Sequence, residues 1–431
     1  MSRAIAALRQ ARLRIEALER DRRVPIAVVG MGCRLPGASD LDAYWSLLRA
    51  GGDAIREVPP ERWSLAEYYD ADPRAPGRAA SRHGGFVDGI FDFDRERFGI
   101  SQAEAEVMDP QQRLLLEVAA EAFERAGDAD LAGSRTGVFV GISTHDFALR
   151  AIRDEATEKI GVYSGTGSAS AIVAGRLAYT FGLRGPCLAM DAACASALVA
   201  VHLACQSLRD GDCDRALAAG VNAILSPAVT VYFSRRGVLA PDGVCRAFDA
   251  EGDGYARAEG CGALVLRRLD DALRAGDPIV GVIRGSAIGH NGRSNGLTAP
   301  SRAAQVDVIR RALADAGVEP GELGYVEAFG AGTRLGDGVE LRALAEVLGG
   351  RAEPLPIGSV KTNIGHTEAA SGVAALIKVL LCLEHGELPP SLHLRRPNPA
   401  LADAPVRVVQ ALERWATPRL AGTSAFGFGG T

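Results

Sequence analysis

The chain has 431 residues and a formal net charge of -5, with 47% hydrophobic and 23% charged residues. These values are ordinary for a globular protein, and the negative charge gives no electrostatic support for binding nucleic acid. No apolar run approaches the ~20 residues of a transmembrane helix, and the charged stretch at residues 1–23 is unlike a secretory signal. The eight cysteines include no CxxC pair. This argues against a zinc site or a disulfide framework and suits a reducing cytoplasm, where we expect the protein to be located.

Residues 1–22 are predicted to form a separate short helix. Leu8, Ala11, Ile15 and Leu18 follow a 3–4 spacing among Arg and Glu residues. This spacing is typical of a two-stranded coiled coil. Because it spans only about two heptads, a helix docked on its own domain remains an alternative.

The rest of the chain alternates between buried strands and amphipathic helices, apart from a loop-rich excursion over residues 52–105. The predicted strands are 24–30, 135–144, 187–190, 215–219, 262–269, 279–291, 324–328, 355–358 and 405–410. The predicted helices are 40–51, 109–127, 167–180, 195–209, 302–315, 338–348 and 367–385. Short apolar strands that alternate with helices predict a layered α/β fold.

Cys194 is the candidate nucleophile. It lies in DAACASAL, between a short predicted strand and a predicted helix, with small residues on both sides. A helix N-terminus stabilises a thiolate, which would lower the thiol pKa from ~8.5, and the backbone N–H of this residue could bind an oxyanion. A cysteine in an alanine-rich helix is more often a small buried apolar residue, which is our interpretation of Cys205, Cys213, Cys261 and Cys382.

A second polar loop, in GSVKTNIGHTEAASGVA, supplies a candidate general acid or base. It carries Lys361, Asn363 and His366, and Glu368 begins the apolar helix that follows. A histidine at a helix start is expected to be a neutral imidazole that donates from one nitrogen, and the Lys and Glu side chains could orient it. His290, in the Gly/Asn-rich stretch GHNGRSNGLTAP, is the second choice among the histidines.

Long motifs follow one another in a recognisable order over residues 24–431. They are VGMGCRLPG, MDPQQRLLLEVAAEAFERAG, GRLAYTFGLRGP, DAACASAL, RRGVLAPDG, SNGLTAP, GSVKTNIGHTEAASGVA and AFGFGGT. Together they resemble the ketosynthase (β-ketoacyl synthase) domain of modular type I polyketide synthases. The resemblance implies a thiolase-like, five-layered α/β/α/β/α fold and a homodimer. It also implies two similar halves, residues 24–275 and 276–431, each with one mixed sheet.

The resemblance also implies roles for individual residues. Cys194 matches the nucleophile that takes an acyl group from an acyl carrier protein, and His366 matches the second of two catalytic histidines. Lys361 matches the lysine that orders the site, with Glu368 as its partner acid. Phe426 matches the residue whose N–H completes the oxyanion hole with that of the cysteine.

Further implications concern supporting residues and partners. Thr333 and Asn363 match supporting positions of the site. No cofactor or metal is implied beyond the phosphopantetheine on which the carrier protein delivers its substrate. The partners would be that carrier protein and the other domains of a synthase, and the Arg-rich stretches RRGV and RRPNP are candidate contacts for the carrier.

One stretch departs from the family pattern. VEAFGAGTRLGDGVE (326–340) corresponds to the family's HGTGTxLGDPxE loop, and Phe329 takes the place of the first catalytic histidine. Ala331 stands where Thr is usual, and Gly338 stands where Pro is usual. Phe cannot donate to an enolate oxygen, and losing one such donor typically costs ~10²–10³ in rate. The pattern resembles non-elongating ketosynthases, which accept an acyl chain and pass it on.

Two alternatives remain open at this stage. The chain could condense with His366 or His290 standing in for the missing histidine, or it could be a dimerising scaffold. The family continues beyond Thr431 with Asn-Ala-His and a further strand, so we expect the sequence to belong to a larger synthase.

Overall fold

Strands and helices alternate along most of the chain in the computed structural model, which describes residues 24–128, 130–149, 160–416 and 419–431. The strands are β1 Ile26–Arg34, β2 Ile55–Glu57, β3 His83–Gly85, β4 Thr136–Gly141, β5 Cys187–Met190, β6 Arg215–Asn222, β7 Gly260–Arg268, β8 Gly281–Ile283, β9 Tyr325–Glu327, β10 Leu355–Gly358, β11 Glu387–Leu388, β12 Val406–Val408, β13 Glu413–Arg414 and β14 Ala421–Thr423. The helix predicted for residues 1–22 lies outside the described residues.

The α-helices are α1 Leu41–Arg49, α2 Leu65–Tyr68, α3 Gln102–Glu106, α4 Pro110–Arg125, α5 Ser164–Ser168, α6 Ser170–Phe181, α7 Ser196–Asp210, α8 Pro227–Arg235, α9 Leu269–Ala275, α10 Arg302–Ala316, α11 Arg334–Leu348, α12 Lys361–Ile364, α13 Ser371–His385 and α14 Pro399–Ala402. Within the described ranges, none of the helices is long and apolar enough to cross a membrane.

Two sheets organise these elements. The larger has the order β5-β4-β6-β7-β1-β8 and mixes parallel and antiparallel pairs. The smaller has the order β12-β10-β9-β14 and is parallel throughout, so the prediction of a mixed sheet was wrong for the second half. The predicted division near residue 275 also does not separate the sheets. β8 follows that point but pairs with β1, where Ile26 lies opposite Ile283.

The packing of apolar side chains defines five layers. On one face of the larger sheet, Val140 packs in a core with Leu115 of α4. The other face packs on α7 and α13, which form the middle layer and carry Ala200 and Ala374. The smaller sheet follows, and its far face packs on α11 through residues such as Leu344. The predicted five-layered α/β/α/β/α fold is therefore confirmed.

The boundaries of several elements differ from the predictions. Predicted helix 167–180 is two helices, because Ala169 between them has extended backbone angles. Predicted strand 279–291 is reduced to β8, since its second part is a loop. Predicted helix 338–348 begins four residues earlier, at Arg334. Gly336 and Gly338 in that first turn are poor helix formers. Helix propensity therefore places the start of this helix too late.

Candidate active site

Cys194 lies in a tight 3₁₀ turn that connects β5 to α7. Ala193 has a φ of 51°, a left-handed conformation that is strained for alanine. The Ser196 hydroxyl stabilises this turn, because it accepts the N–H of Ala192 at 2.9 Å and donates to the carbonyl of Ala193 at 2.6 Å. The Ser371 hydroxyl donates to the carbonyl of Cys194 at 3.1 Å and links the turn to α13. The nucleophile candidate is thus held from both of the central helices.

The C-terminal glycine-rich loop brings a second backbone donor to Cys194. The backbone N–H groups of Phe428 and of Cys194 itself face the sulfur closely enough to lower the thiol pKa. Gly427 is required for this approach, because a Cβ at that position would lie 2.4 Å from the carbonyl oxygen of Ala192. The prediction assigned the second donor to Phe426, whereas the backbone N–H that acts on the thiol pKa is that of Phe428. The turn directs the N–H of the second phenylalanine toward the sulfur, while the ring of Phe426 packs on another aromatic side chain.

Burial raises the pKa of the Cys194 thiol to about 12. The carboxylate of Glu368 adds to this effect, whereas Lys361 and the two backbone N–H donors lower the pKa. The expectation of a lowered thiol pKa is therefore wrong. Removing the sulfur from water disfavours the thiolate more than the positive end of a helix favours it.

The rate of Cys194 alkylation by iodoacetamide is expected to rise about tenfold per pH unit from about pH 7 to pH 9. Only the thiolate reacts, and below the thiol pKa its population grows tenfold with each unit. The measurement is mass spectrometry of the labelled peptide over time. A rate that levels off below about pH 8.5 would mean that the pKa is lowered rather than raised.

His366 is fixed by three backbone hydrogen bonds. Its backbone N–H donates to the carbonyl of Ala256 at 2.8 Å, and its backbone carbonyl accepts the N–H of Ala258 at 2.8 Å. The ring Nδ1 accepts the backbone N–H of Glu368 at 3.1 Å, which is reached because Glu368 has a φ of 46°. With Nδ1 occupied as an acceptor, the proton of a neutral imidazole is on Nε2. His366 therefore presents one N–H donor.

A buried ion pair lies beside this histidine. The Arg257 guanidinium donates to both carboxylate oxygens of Glu368, at 2.5 and 2.9 Å, and also to the hydroxyl of Thr230. The partner of Glu368 is thus Arg257 and not Lys361, which corrects the prediction. Burial lowers the pKa of His366 well below its usual value, and the charges of Lys361 and Arg257 lower it further. The imidazole is neutral at physiological pH, as expected.

Phe329 takes up the space beside His366. Its ring centroid is 5.5 Å from that of His366, with the rings nearly perpendicular, and the Lys361 Nζ lies 4.5 Å from the Phe329 centroid. Burial lowers the pKa of Lys361. The Glu340 carboxylate accepts the backbone N–H groups of Phe329 and Gly330 at 2.7 and 2.9 Å. The backbone of this loop is therefore held without any help from the phenyl ring.

A pocket of about 190 Å³ opens over these residues. Cys194 and His366 line it together with the rings of Phe233, Tyr255, Phe329, Phe426 and Phe428. A larger cavity of about 750 Å³ lies between α10 and the edge strands β8 and β14. His290 lines the larger cavity and is not part of the pocket around the cysteine.

The two supporting residues have different positions. Thr333 lines the small pocket at the start of α11. Asn363 is fully buried outside the lining, where its side-chain amide donates to the carbonyl of Gly52 and its backbone carbonyl accepts the N–H of Ala54. It anchors the loop after α1. Over the part of the chain that the structure describes, no group of three or more His, Cys, Asp or Glu residues could bind a metal ion.

Some residues of this site were not found by sequence reasoning. Tyr255 and Arg257 reach the site from one segment before β7 that none of the quoted motifs covers. Glu340 ends the stretch 326–340, but sequence reasoning assigned it no role. Phe428 could have been named from the sequence as an alternative to Phe426, because both aromatic residues belong to the same short motif, FGF (426–428). Only the shape of the turn decides which N–H faces the sulfur.

The comparison with protein families covers most of the chain. Residues 23–272 match the model of the β-ketoacyl synthase N-terminal domain, and residues 280–395 match that of the β-ketoacyl synthase C-terminal domain. One component of the phenolphthiocerol/phthiocerol polyketide synthase of Mycobacterium tuberculosis is 51% identical over 418 residues, which are 94% of this chain and 22% of that protein. Another component of the same synthase is 48% identical over 415 residues, or 27% of its length. The chain thus spans about a quarter of the length of these relatives.

Solved structures agree with this relationship. An oxazolomycin ketosynthase domain from Streptomyces albus, OzmH KS7, superposes with a TM-score of 0.90 at 43% identity, covering 94% of this chain and 73% of that one. The ketosynthase from module 6 of the bacillaene synthase of Bacillus subtilis superposes with a TM-score of 0.85 at 39% identity, covering 94% and 70%.

Proposed function

Because the chain belongs to the β-ketoacyl synthase family, as a ketosynthase domain of a modular polyketide synthase, we propose that it transfers acyl groups without condensing them. Cys194 accepts an acyl chain from the phosphopantetheine thioester of an acyl carrier protein and passes it to the next thiol. The observation that carries the proposal is the Phe329 ring, which lies against His366 where the family has its first catalytic histidine.

The acyl-transfer step uses groups that this chain retains. The Cys194 sulfur attacks the thioester carbonyl, and the resulting oxyanion accepts the N–H groups of Cys194 and Phe428. The intermediate collapses by breaking the bond to the pantetheine sulfur, and the proton of the cysteine thiol ends on that departing thiol. The reverse sequence, with a new thiol as the attacker, releases the chain. Donors that are already in place before the charge develops need no reorganisation.

Condensation makes a further demand that the site meets only in part. Loss of CO₂ from a malonyl thioester leaves an enolate, whose oxygen needs N–H donors before its carbon can attack the acyl-cysteine. His366 supplies one donor from Nε2, and Phe329 supplies none. The loss of one donor from such a site reduces the rate about 10²–10³-fold.

The geometry also argues against a substitute histidine. His290 lines a different cavity, and its ring nitrogens contact the carbonyl of Gly429 and the N–H of Gly292. It has no free ring nitrogen to offer the pocket. A scaffold, for its part, would not need the strained turn at Cys194 or the donor from Phe428. The test of the proposal is whether acyl uptake by Cys194 is followed by CO₂ release from a malonyl carrier protein.

The carrier-protein contact is proposed at the RRGV stretch. Arg236 lies at the rim of the small pocket, where its guanidinium donates to the hydroxyl of Thr298. In the RRPNP stretch, Arg396 is paired with Glu251 at 2.9 Å. An arginine at the pocket rim is better placed to meet an acidic carrier protein that inserts its pantetheine arm.

We propose that the domain dimerises through the edge strand β5. Leu188 on this strand is 48% exposed, and Tyr179 on the neighbouring α6 is 88% exposed. An open strand edge with exposed apolar side chains is a surface that proteins normally cover. Leu188→Lys is expected to shift the protein from dimer to monomer in analytical ultracentrifugation. Leu273→Lys, at a leucine on α9 that is 63% exposed, serves as the control and should leave the dimer intact. A monomeric wild type would contradict the proposal.

A further inference from the structure

His290 makes two hydrogen bonds that together connect two loops. Its Nε2 lies 3.1 Å from the carbonyl oxygen of Gly429, and its Nδ1 accepts the backbone N–H of Gly292 at 2.9 Å. Because a carbonyl oxygen can only accept, Nε2 must carry a proton, and because the N–H of Gly292 can only donate, Nδ1 must not. Both bonds are therefore satisfied at once by a single neutral tautomer.

The loop that His290 contacts is the one that carries the Phe428 donor. Two backbone hydrogen bonds close this loop into a turn. The N–H of Gly427 donates to the carbonyl of Thr431 at 2.7 Å, and the N–H of Gly430 donates to the carbonyl of Gly427 at 2.9 Å. A Cβ on Gly430 would lie 2.8 Å from the Nε2 of His290, so the imidazole is packed directly on this turn.

Two other contacts of the described residues reach this turn. The N–H of Asn291, the residue next to His290, donates to the carbonyl of Gly430 at 2.8 Å. On the other side, the ring of Phe428 packs edge-on against Phe233, with centroids 5.9 Å apart. Phe428 is 49% exposed, so burial alone does not fix the turn. The imidazole is thus the one side chain among these contacts that bonds to the turn from outside.

We propose that His290 is a positioning residue for the oxyanion donor. It holds the Gly429 carbonyl, and through the closed turn it holds the peptide N–H of Phe428 near the sulfur of Cys194. It does not touch the substrate. The inference rests on the proposed function, because an oxyanion forms only when Cys194 takes up an acyl group. A donor displaced by about 1 Å costs up to about 10²-fold in rate.

The experiment compares acylation with alkylation of Cys194 in the whole chain. With a hexanoyl pantetheine thioester as the probe, His290→Ala is expected to lower the maximal acylation rate roughly ten- to hundredfold while KM changes little. Iodoacetamide alkylation, which forms no oxyanion, should slow far less than acylation, and only because the displaced N–H of Phe428 no longer lowers the thiol pKa. His290→Gln should restore acylation, because an amide offers both an N–H donor and a carbonyl acceptor.

The control is His393→Asn, at a histidine that bonds to Asp53 and has a φ of 66°, which asparagine tolerates. It should acylate like the wild type. Wild-type acylation in His290→Ala would overturn the inference, as would an equal loss of acylation and alkylation, or a His290→Gln variant as slow as His290→Ala. If the wild type takes up no acyl group at all, the proposed function fails, and the positioning role fails with it.

Discussion

Phe329→His is expected to raise decarboxylation of malonyl carrier protein by the acylated domain about 10²–10³-fold, because it returns a second N–H donor to the enolate oxygen. This range corresponds to about 2.7–4 kcal/mol of transition-state stabilisation. The measurement is the release of labelled CO₂ together with the mass of the β-ketoacyl product on the carrier protein.

The structure favours this gain because the loop does not depend on the phenyl ring. The Glu340 carboxylate holds the N–H groups of residues 329 and 330, and the Ser359 hydroxyl donates to the carbonyl of Gly330 at 2.9 Å. An imidazole at position 329 would therefore start from the same backbone position. His366, whose own bonds are to Ala256, Ala258 and Glu368, would keep its orientation.

Phe329→Leu is the matched control, because it removes the ring without adding a donor. It should leave condensation at the wild-type level and acylation nearly unchanged. If Leu and His raise decarboxylation equally, relief of crowding is responsible rather than a new donor. If neither variant has any effect while acylation persists, the missing histidine is not what blocks condensation.

The second large effect is expected for Cys194→Ala, which should abolish covalent acyl uptake. The intact mass of the wild type should increase by one acyl group after incubation with an acyl thioester, and that of the variant should not. The fold should survive, since replacing a small half-buried side chain by Ala typically costs about 1 kcal/mol. Far-UV circular dichroism and the unfolding midpoint check this.

Cys187 provides the matched control for that experiment. It is the exposed thiol among the described cysteines of the single chain, on β5, and is therefore the thiol most open to non-specific acylation whenever that strand is uncovered. Cys187→Ser should take up the acyl group like the wild type. If Cys187→Ser abolished acyl uptake while Cys194→Ala retained it, the assignment of the nucleophile would be contradicted.

Much of the fold was accessible from the sequence because apolar runs of strand length are unambiguous when turns enclose them. Strand β10 was predicted to the residue for this reason. The strand that was predicted too long failed because of pairing. Nothing in residues 279–291 says that only the first part finds a partner strand, since this depends on β1, which lies far earlier in the chain.

For the site as well, residues in local motifs could be predicted from the sequence, whereas partners far apart in the chain could not. Cys194 and His366 were found because their neighbours form long motifs, and the structure brings both to one pocket. The pairing of Glu368 with Arg257 was missed because the two are 111 positions apart and neither has a distinctive neighbourhood. The thiol pKa was mispredicted because a local helix argument contains no information about burial.

The central claim is that this site loads an acyl chain but does not extend it. The direct test is a single incubation of wild-type protein with a hexanoyl thioester and malonyl carrier protein, followed by intact-mass analysis of both proteins. We expect a hexanoyl group on Cys194, an unchanged malonyl carrier protein and no β-ketoacyl product. Stoichiometric β-ketooctanoyl carrier protein from the wild type would contradict it.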